Sequence, residues 1–125
     1  PPEAPATILV VDDNDAVRDT LTRLLRFRGH TVTAADRAST ALRLADEQPF
    51  DLVLTDVVMP EMSGPELARE LQRRHGDLPV LFMSGYLAEE QVPADQLITK
   101  PIDVETLHAH VDAALARARP HPNSA

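Results

Sequence analysis

The chain contains no cysteine, so it forms no disulfide and offers no thiolate to a metal ion. No apolar run approaches the roughly 20 residues of a membrane-spanning helix, and the proline-rich start lacks the apolar segment of a signal peptide. Basic residues are scarce, with 12 Lys and Arg against 20 Asp and Glu and a formal net charge of -8. This balance argues against nonspecific nucleic-acid binding, which needs a basic face. We expect a cytoplasmic domain without membrane contact. Its excess of acidic residues favours binding of a cation or of a basic partner surface, but a solvated acidic surface explains the charge equally well.

The length and composition fit one globular domain. A chain of 125 residues with 43% hydrophobic residues is long enough to bury a proper core but too short for two domains. Both ends are rich in proline and lack apolar periodicity, which is typical of linkers. We therefore predict a linker at residues 1–6, a folded domain at 7–119 and a flexible tail at 120–125.

Apolar strands alternate with amphipathic helices along the whole domain. The first strand is a continuous β-branched run, as expected of a central strand that is covered on both faces. Before Pro93 there is room for only a short helix at residues 87–92. Five such units predict an α/β fold, a doubly wound five-stranded parallel sheet with helices on both faces and a shortened fourth helix. The predicted strands span residues 7–11, 31–35, 51–55, 79–83 and 96–99.

Five polar residues fall at or just past the carboxyl ends of four of these strands: Asp12, Asp13, Asp56, Ser84 and Lys100. The carboxyl ends of parallel strands share one edge of the sheet, and ligands bind there. The fold would therefore bring three carboxylates, a hydroxyl and an ammonium group into one pocket.

Such a pocket suits a hard divalent cation and a phosphoryl group. Three converging carboxylates repel one another unless a cation neutralises them, and Mg²⁺ prefers ligand sets made only of oxygen. An aspartate can also attack phosphorus and carry an acyl phosphate. A pair of aspartates after a strand often only caps the next helix. That simpler interpretation is disfavoured here because Asp56, Ser84 and Lys100 stand at the ends of three other strands.

These motifs resemble the receiver domain of bacterial response regulators. The resemblance covers about residues 7 to 118. It rests on Ile8-Leu9-Val10-Val11-Asp12-Asp13-Asn14, Asp56, Met59-Pro60-Glu61-Met62-Ser63-Gly64, Met83-Ser84-Gly85-Tyr86 and Lys100-Pro101.

The resemblance implies a flavodoxin-like strand order, 2-1-3-4-5, and a role in two-component signalling. By this match, Asp56 would receive a phosphoryl group from a phosphohistidine on a histidine kinase or a histidine phosphotransfer protein. Asp13, Asp56 and the backbone carbonyl of Val58 would bind Mg²⁺ directly, and Asp12 would hold it through water. The domain would catalyse only its own phosphorylation and dephosphorylation and would otherwise not be an enzyme.

The resemblance also implies a conformational switch. Ser84 would move towards the new phosphate, Lys100 would pair with it, and the Lys100–Pro101 bond would be cis. The family's usual switch aromatic is replaced by Leu97, so its inward swing is not expected here. The positions that tune water access hold Val58 and Tyr86, which predicts a long-lived phosphorylated form if Tyr86 shields the phosphate rather than only packing.

Several parent proteins and rival functions fit the same residues. The segment from Val80 to Tyr86 resembles that of hybrid histidine kinases, which implies the C-terminal receiver of such a kinase, with a stand-alone phosphate sink as the alternative. A docking pseudo-receiver that works without phosphorylation is expected to lack a site residue, and none is missing. A hydrolase would need a second carboxylate where Val58 stands. The five histidines are predicted to have no metal or phosphotransfer role.

Overall fold

Five parallel strands and four α-helices alternate in the residues that the structure, a computed structural model, describes, namely 5–85 and 92–118. The strands pair side by side in the order β2-β1-β3-β4-β5, which confirms the predicted flavodoxin-like sheet. The strands are β1 (Thr7–Val11), β2 (Thr31–Ala35), β3 (Leu52–Asp56), β4 (Val80–Ser84) and β5 (Leu97–Thr99). The helices are α1 (Asp15–Phe27), α2 (Ala38–Glu47), α3 (Gly64–His75) and α4 (Val104–Ala118), and a 3₁₀ turn (Ala94–Gln96) precedes β5.

The three central strands, β1, β3 and β4, are buried on both faces because they are almost entirely apolar, whereas the edge strands β2 and β5 are partly exposed. Successive side chains of a strand point to opposite faces, so each central strand contributes to two cores. One core packs under α2 and α3, and it contains Leu9, Val11, Val53, Leu67 and Leu71. The other packs under α1 and α4, and it contains Ile8, Val10, Leu21, Leu25 and Leu107.

Local signals start the helices that flank the carboxyl edge of the sheet. Asn14 caps α1, since its side-chain oxygen accepts a hydrogen bond from the amide of Val17 at 3.0 Å. A capping box starts α3, in which the side chains of Ser63 and Glu66 each accept from the other's backbone amide. The residues between β1 and α1, and between β3 and α3, are thereby held close to the strand ends.

The structure corrects some details of the predicted elements. The third strand begins at Leu52 rather than residue 51, and the fifth begins at Leu97 because Gln96 ends the 3₁₀ turn. Val104, the first residue of α4, is 44% exposed, and the first fully buried residue of this helix is Leu107. Of the predicted short helix at 87–92, only Val92 is described, and it is buried. Three ranges lie outside the described residues, namely 1–4, 86–91 and 119–125. They include Tyr86, the rest of the predicted short helix and the predicted tail.

No helix among residues 5–85 and 92–118 has the length and apolarity that crossing a membrane requires.

Candidate functional site

The predicted site residues meet at the carboxyl edge of the sheet, where the strand order reverses. Strand β1 lies beside β3, and helices leave the two strands towards opposite faces, which is where ligands bind in open α/β sheets. Asp12 and Asp13 directly follow β1, and Asp56 is the last residue of β3. One carboxylate oxygen from each of these three residues lies within 4.8 Å of the others. The predicted acidic cluster is therefore present.

Asp12 is the buried member of this cluster, with 0% exposure. Its Oδ1 accepts a hydrogen bond from the amide of Asn14 at 2.8 Å, and its Oδ2 lies 3.4 Å from the ammonium group of Lys100. Burial raises the pKa of the Asp12 carboxyl, and the charge of Asp56 adds to that rise, although Asn14 and Lys100 oppose it. The net upward shift shows that these two partners do not fully compensate the buried charge.

Lys100 bridges two of the acids. Its Nζ lies 3.1 Å from Oδ2 of Asp56 as well as 3.4 Å from Oδ2 of Asp12. Burial acts to lower the pKa of this ammonium, but the hydrogen bond to Asp56 and the charge of Asp12 outweigh it and raise the pKa above its ordinary value. The Lys100–Pro101 peptide bond is cis, as the resemblance implied. Lys100 therefore supplies a permanent positive charge between the two carboxylates.

The loop after Asp56 is anchored tightly to the sheet. The amide of Val57 donates to the carbonyl of Met83 at 2.9 Å, and the amide of Gly64 donates to the carbonyl of Val57 at 2.7 Å. A Cβ atom at Gly64 would overlap the carbonyl oxygen of Asp56, so glycine is required for this close approach. Between these anchors, Val58 is 67% exposed, and its amide lies 3.5 Å from Oδ1 of Asp56.

Ser84 ends β4 on the other side of Asp56. The residue is buried, with 3% exposure, and its carbonyl accepts a hydrogen bond from the amide of Lys100 at 2.8 Å. Leu97, at the position where a switch aromatic was considered, is partly buried and packs against the core under α2 and α3. The structure thus brings Asp12, Asp13, Asp56 and Lys100 together and joins Ser84 to Lys100 through the backbone.

The sequence analysis missed Arg18, a residue of α1 that supports the cluster. Its guanidinium donates to the backbone carbonyl of Asp12 at 2.8 Å and to the side chain of Asp15 at 2.6 Å. The Arg18 side chain is only 21% exposed, so this contact is partly shielded from solvent. One weak signal was available, since Asp15 and Arg18 are three residues apart on one helix and such pairs face each other.

The donor set fits a small divalent cation better than a softer metal ion. Its side-chain donors are carboxylate oxygens, and they converge from two neighbouring strand ends. Mg²⁺ binds through one or two carboxylates and keeps waters or phosphate oxygens in its remaining positions, which matches a partly exposed acidic group. The chemistry of these residues therefore agrees with the metal that the resemblance implied.

The comparison with known proteins agrees with this geometry. The model of the response regulator receiver domain matches residues 8–112. The sensor kinase CckA of Brucella abortus (strain 2308) is 40% identical over 120 residues, which are 90% of this chain and 13% of the kinase. The response regulator receiver protein CpdR of the same strain is 34% identical over 117 residues, which are 89% of this chain and 98% of that protein.

Solved structures give the same result. The crystal structure of the receiver domain from the hybrid histidine kinase CckA superposes with a TM-score of 0.76 at 40% identity, covering 87% of this chain and 98% of that one. The chain spans about half (53%) of the length of several response regulators that it also matches. The family model covers most of the domain, and the strand order and the acidic cluster agree with it. The chain therefore belongs to the response regulator receiver domains of two-component signalling.

Proposed function

We propose that the chain accepts a phosphoryl group on Asp56 from a phosphohistidine and changes conformation in response. The observation that carries the proposal is the position of Asp56 at a strand end, 3.1 Å from the ammonium of Lys100 and within the acidic cluster. In the reaction, a carboxylate oxygen of Asp56 forms a bond to phosphorus while the phosphorus–nitrogen bond breaks. The electron pair of that broken bond stays on the imidazole nitrogen of the donor.

Lys100 has two tasks in this reaction. Its ammonium orients the Asp56 carboxylate from one side, and it can neutralise a phosphoryl oxygen once the acyl phosphate has formed. Its raised pKa keeps it protonated throughout the physiological range. Asp12, which lies on the other side of the ammonium, holds it in place by charge. Positioning and charge neutralisation are the main contributions that a protein makes to phosphoryl transfer.

The residues around Asp56 would also hold Mg²⁺. Asp13, Asp56 and the backbone carbonyl of Val58 are the proposed direct ligands, with Asp12 bound through water, and the ion would neutralise charge on the phosphoryl oxygens. The carboxylates of the buried Asp12 and the exposed Asp13 beside Asp56 favour a cation over a second anion at this site.

Ser84 and Lys100 provide the proposed route from phosphorylation to a change in shape. The hydroxyl of Ser84 would donate to a phosphoryl oxygen, and the backbone carbonyl of this residue accepts a hydrogen bond from Lys100, just past the neighbouring strand β5. Phosphorylation would then shift an equilibrium between two conformations that both exist beforehand. Leu97 lacks an aromatic ring, so the readout is expected to depend on β4 and β5 themselves.

A histidine kinase or a histidine phosphotransfer protein is the proposed partner. The chain matches a sensor kinase over 13% of that kinase, which supports a receiver that forms one part of a hybrid kinase. The match to 98% of CpdR equally supports a stand-alone receiver that acts as a phosphate sink. In either case the domain is proposed to catalyse only its own phosphorylation and dephosphorylation.

Incubation with acetyl phosphate and Mg²⁺, followed by intact mass measurement, tests the proposal. Wild type should gain one phosphoryl group, whereas Asp56→Ala, or wild type with the metal chelated, should gain none. An equal adduct on Asp56→Ala would exclude Asp56 as the acceptor. No adduct on any variant would favour a docking module that works without phosphorylation.

The decay of the same adduct tests the predicted long lifetime. Val58 is exposed beside Asp56 and has no polar group in its side chain that could orient an attacking water. Val58→Asn should therefore shorten the lifetime in Mg²⁺ buffer. Rapid decay of the wild-type adduct without any partner would refute the hypothesis.

A further inference from the structure

Helix α2 begins without a capping side chain of its own. The side chain of its N-cap residue, Arg37, makes no capping hydrogen bond. Instead the carboxylate of Glu61, from the loop after β3, accepts from the amide of Ser39 at 3.1 Å. The Ser39 hydroxyl lies 3.0 and 3.2 Å from the two oxygens of the same carboxylate. The loop that follows Asp56 thus supplies the acceptor for a helix that lies 22 residues earlier in the chain.

We propose that Glu61 is a positioning residue for the cation site, because it fastens the loop that carries Val58 to the start of α2. This inference rests on the proposed function, since it assigns Val58 as a backbone ligand. Glu61 would not touch the ion or the phosphoryl group. It would act through the loop.

The other contacts of this loop show why such a fastening matters. The loop is held at its two ends by Val57 and Gly64, and in between by Met59, whose sulfur lies 3.7 Å from the hydroxyl of Thr55. Met59 is buried, but Val58 beside it is 67% exposed and has little packing of its own. The position of the Val58 backbone therefore depends on what holds the residues around it.

Glu61 lies close enough to the site for this role. Glu61 and the metal-ligand candidate Asp13 line the same cavity of about 290 Å³, together with Met59 and Arg37. The hydrogen bond from the amide of Ser39, its hydroxyl and the charge of Arg37 lower the pKa of Glu61, so the carboxylate stays ionised. Hydrogen bonds to an ionised acceptor are about twice as strong as neutral ones. The contact also places a negative charge at the positive end of α2.

The test compares variants of the complete chain by their Mg²⁺ dissociation constants, measured by isothermal titration calorimetry. Glu61→Ala should weaken Mg²⁺ binding about tenfold, the lower end of what losing an outer-shell partner of a metal ligand costs. Glu61→Gln should retain most of the affinity, since its carbonyl can still accept from Ser39. At saturating Mg²⁺, Glu61→Ala should be phosphorylated by acetyl phosphate at nearly the wild-type rate.

Asp103→Ala is the matched control. Asp103 caps α4 by the same pattern, accepting from both the amide and the hydroxyl of Thr106 at 2.9 Å. Its removal costs one helix cap and one negative charge, as at Glu61, but it leaves the loop after β3 untouched. The control should bind Mg²⁺ like wild type.

Ser39→Asp separates capping of α2 from fastening of the loop. The new carboxylate suits the start of a helix but repels Glu61. The added negative charge alone should strengthen Mg²⁺ binding, so weaker binding in this variant would point to the loop. In the metal-free protein, ¹⁵N relaxation should show a more mobile Val58 amide in Glu61→Ala and Ser39→Asp, but not in Asp103→Ala.

Two results would overturn the inference while leaving the proposed function intact. One is equal Mg²⁺ affinity in Glu61→Ala and Asp103→Ala. The other is the same loss in Glu61→Gln as in Glu61→Ala, which would mean that charge matters and the hydrogen bond does not. A wild-type chain that binds no Mg²⁺ would instead refute the proposed function, and the positioning role with it.

Discussion

The backbone amide of Lys100 donates a hydrogen bond to the carbonyl oxygen of Ser84 at 2.8 Å. Lys100 lies just past β5, and Ser84 is the last residue of β4, where it is paired with Thr99 of β5. Their side-chain groups, an ammonium and a hydroxyl, are the proposed partners of the phosphoryl group. Because the two backbones are hydrogen-bonded, the proposed shift of Ser84 towards a phosphate would also displace the residues after β5.

Lys100→Ala should slow the reaction of Asp56 with acetyl phosphate by about 100-fold. This is the lower end of the effect of removing one donor that stabilises developing charge. Mg²⁺ binding should not weaken, since the ammonium repels a cation. The measurement is the initial rate of adduct formation at saturating Mg²⁺. An unchanged rate would show that Lys100 only balances the charge of the resting site.

Asp13→Asn should stabilise the metal-free protein while weakening Mg²⁺ binding severely. Asp12, Asp13 and Asp56 lie within 4.8 Å of one another, and their repulsion is relieved in part by Lys100. Relief of this repulsion should raise the free energy of unfolding by on the order of 1 kcal/mol.

Chemical denaturation with and without Mg²⁺ measures both effects of Asp13→Asn. Asp77→Asn, a change at an exposed acid outside the site, controls for the loss of one negative charge. The repulsion model is wrong if the two variants are equally stable without metal.

Gly64→Ala should destabilise the fold by about 1–3 kcal/mol, as for other overpacked positions. The added Cβ would overlap the carbonyl oxygen of Asp56, and that atom belongs to the sheet and cannot move cheaply. Gly85→Ala is the control, since nothing lies within 4 Å of a Cβ atom built there. Urea unfolding should show a loss for the first variant and almost none for the second. Equal stability of the two variants would contradict the close approach.

His108 should make the fold less stable in mild acid. Burial lowers the pKa of this imidazole below its ordinary value of 6.5, and the charge of Arg28 lowers it further, although Asp112 opposes both. The folded protein therefore resists protonation while the unfolded chain accepts a proton at about 6.5. Stability conferred by neutral His108 is present above pH 6.5 and is lost as pH falls towards the lower folded pKa.

Thermal unfolding at several pH values between 7.5 and 5.5 (about one pH unit to either side of an ordinary histidine pKa) tests the role of His108. The melting temperature of wild type should fall more across this range than that of His108→Gln. Parallel curves would mean that His108 titrates alike in the folded and unfolded states.

Most of the fold could be predicted from the sequence because the apolar strands are strongly patterned. The clustering of the candidate site residues could be predicted as well, since Asp12, Asp56 and Lys100 lie at or just past strand ends that a parallel sheet must bring to one edge. Strand limits were less accurate where a polar residue such as Gln96 fits either the strand or the turn before it.

The contacts that the sequence did not reveal all depend on packing between distant segments. Glu61 meets Ser39 across 22 residues, and the buried ring of His30 accepts from the amide of Ala6 across 24. Neither pair follows the spacing of a helix or a strand. Gly64 carries a turn signal, but its closeness to Asp56 becomes visible only in three dimensions.

The location of the phosphoryl group is the most direct test of the proposed function. Borohydride reduces an aspartyl phosphate to homoserine, so peptide mass spectrometry after reaction with acetyl phosphate identifies the modified residue. We predict homoserine at position 56 in the Mg²⁺-treated wild type and none in a sample without Mg²⁺. Homoserine at Asp12, Asp13 or another acid, or its absence from a sample that has gained mass, would contradict Asp56 as the phosphoacceptor.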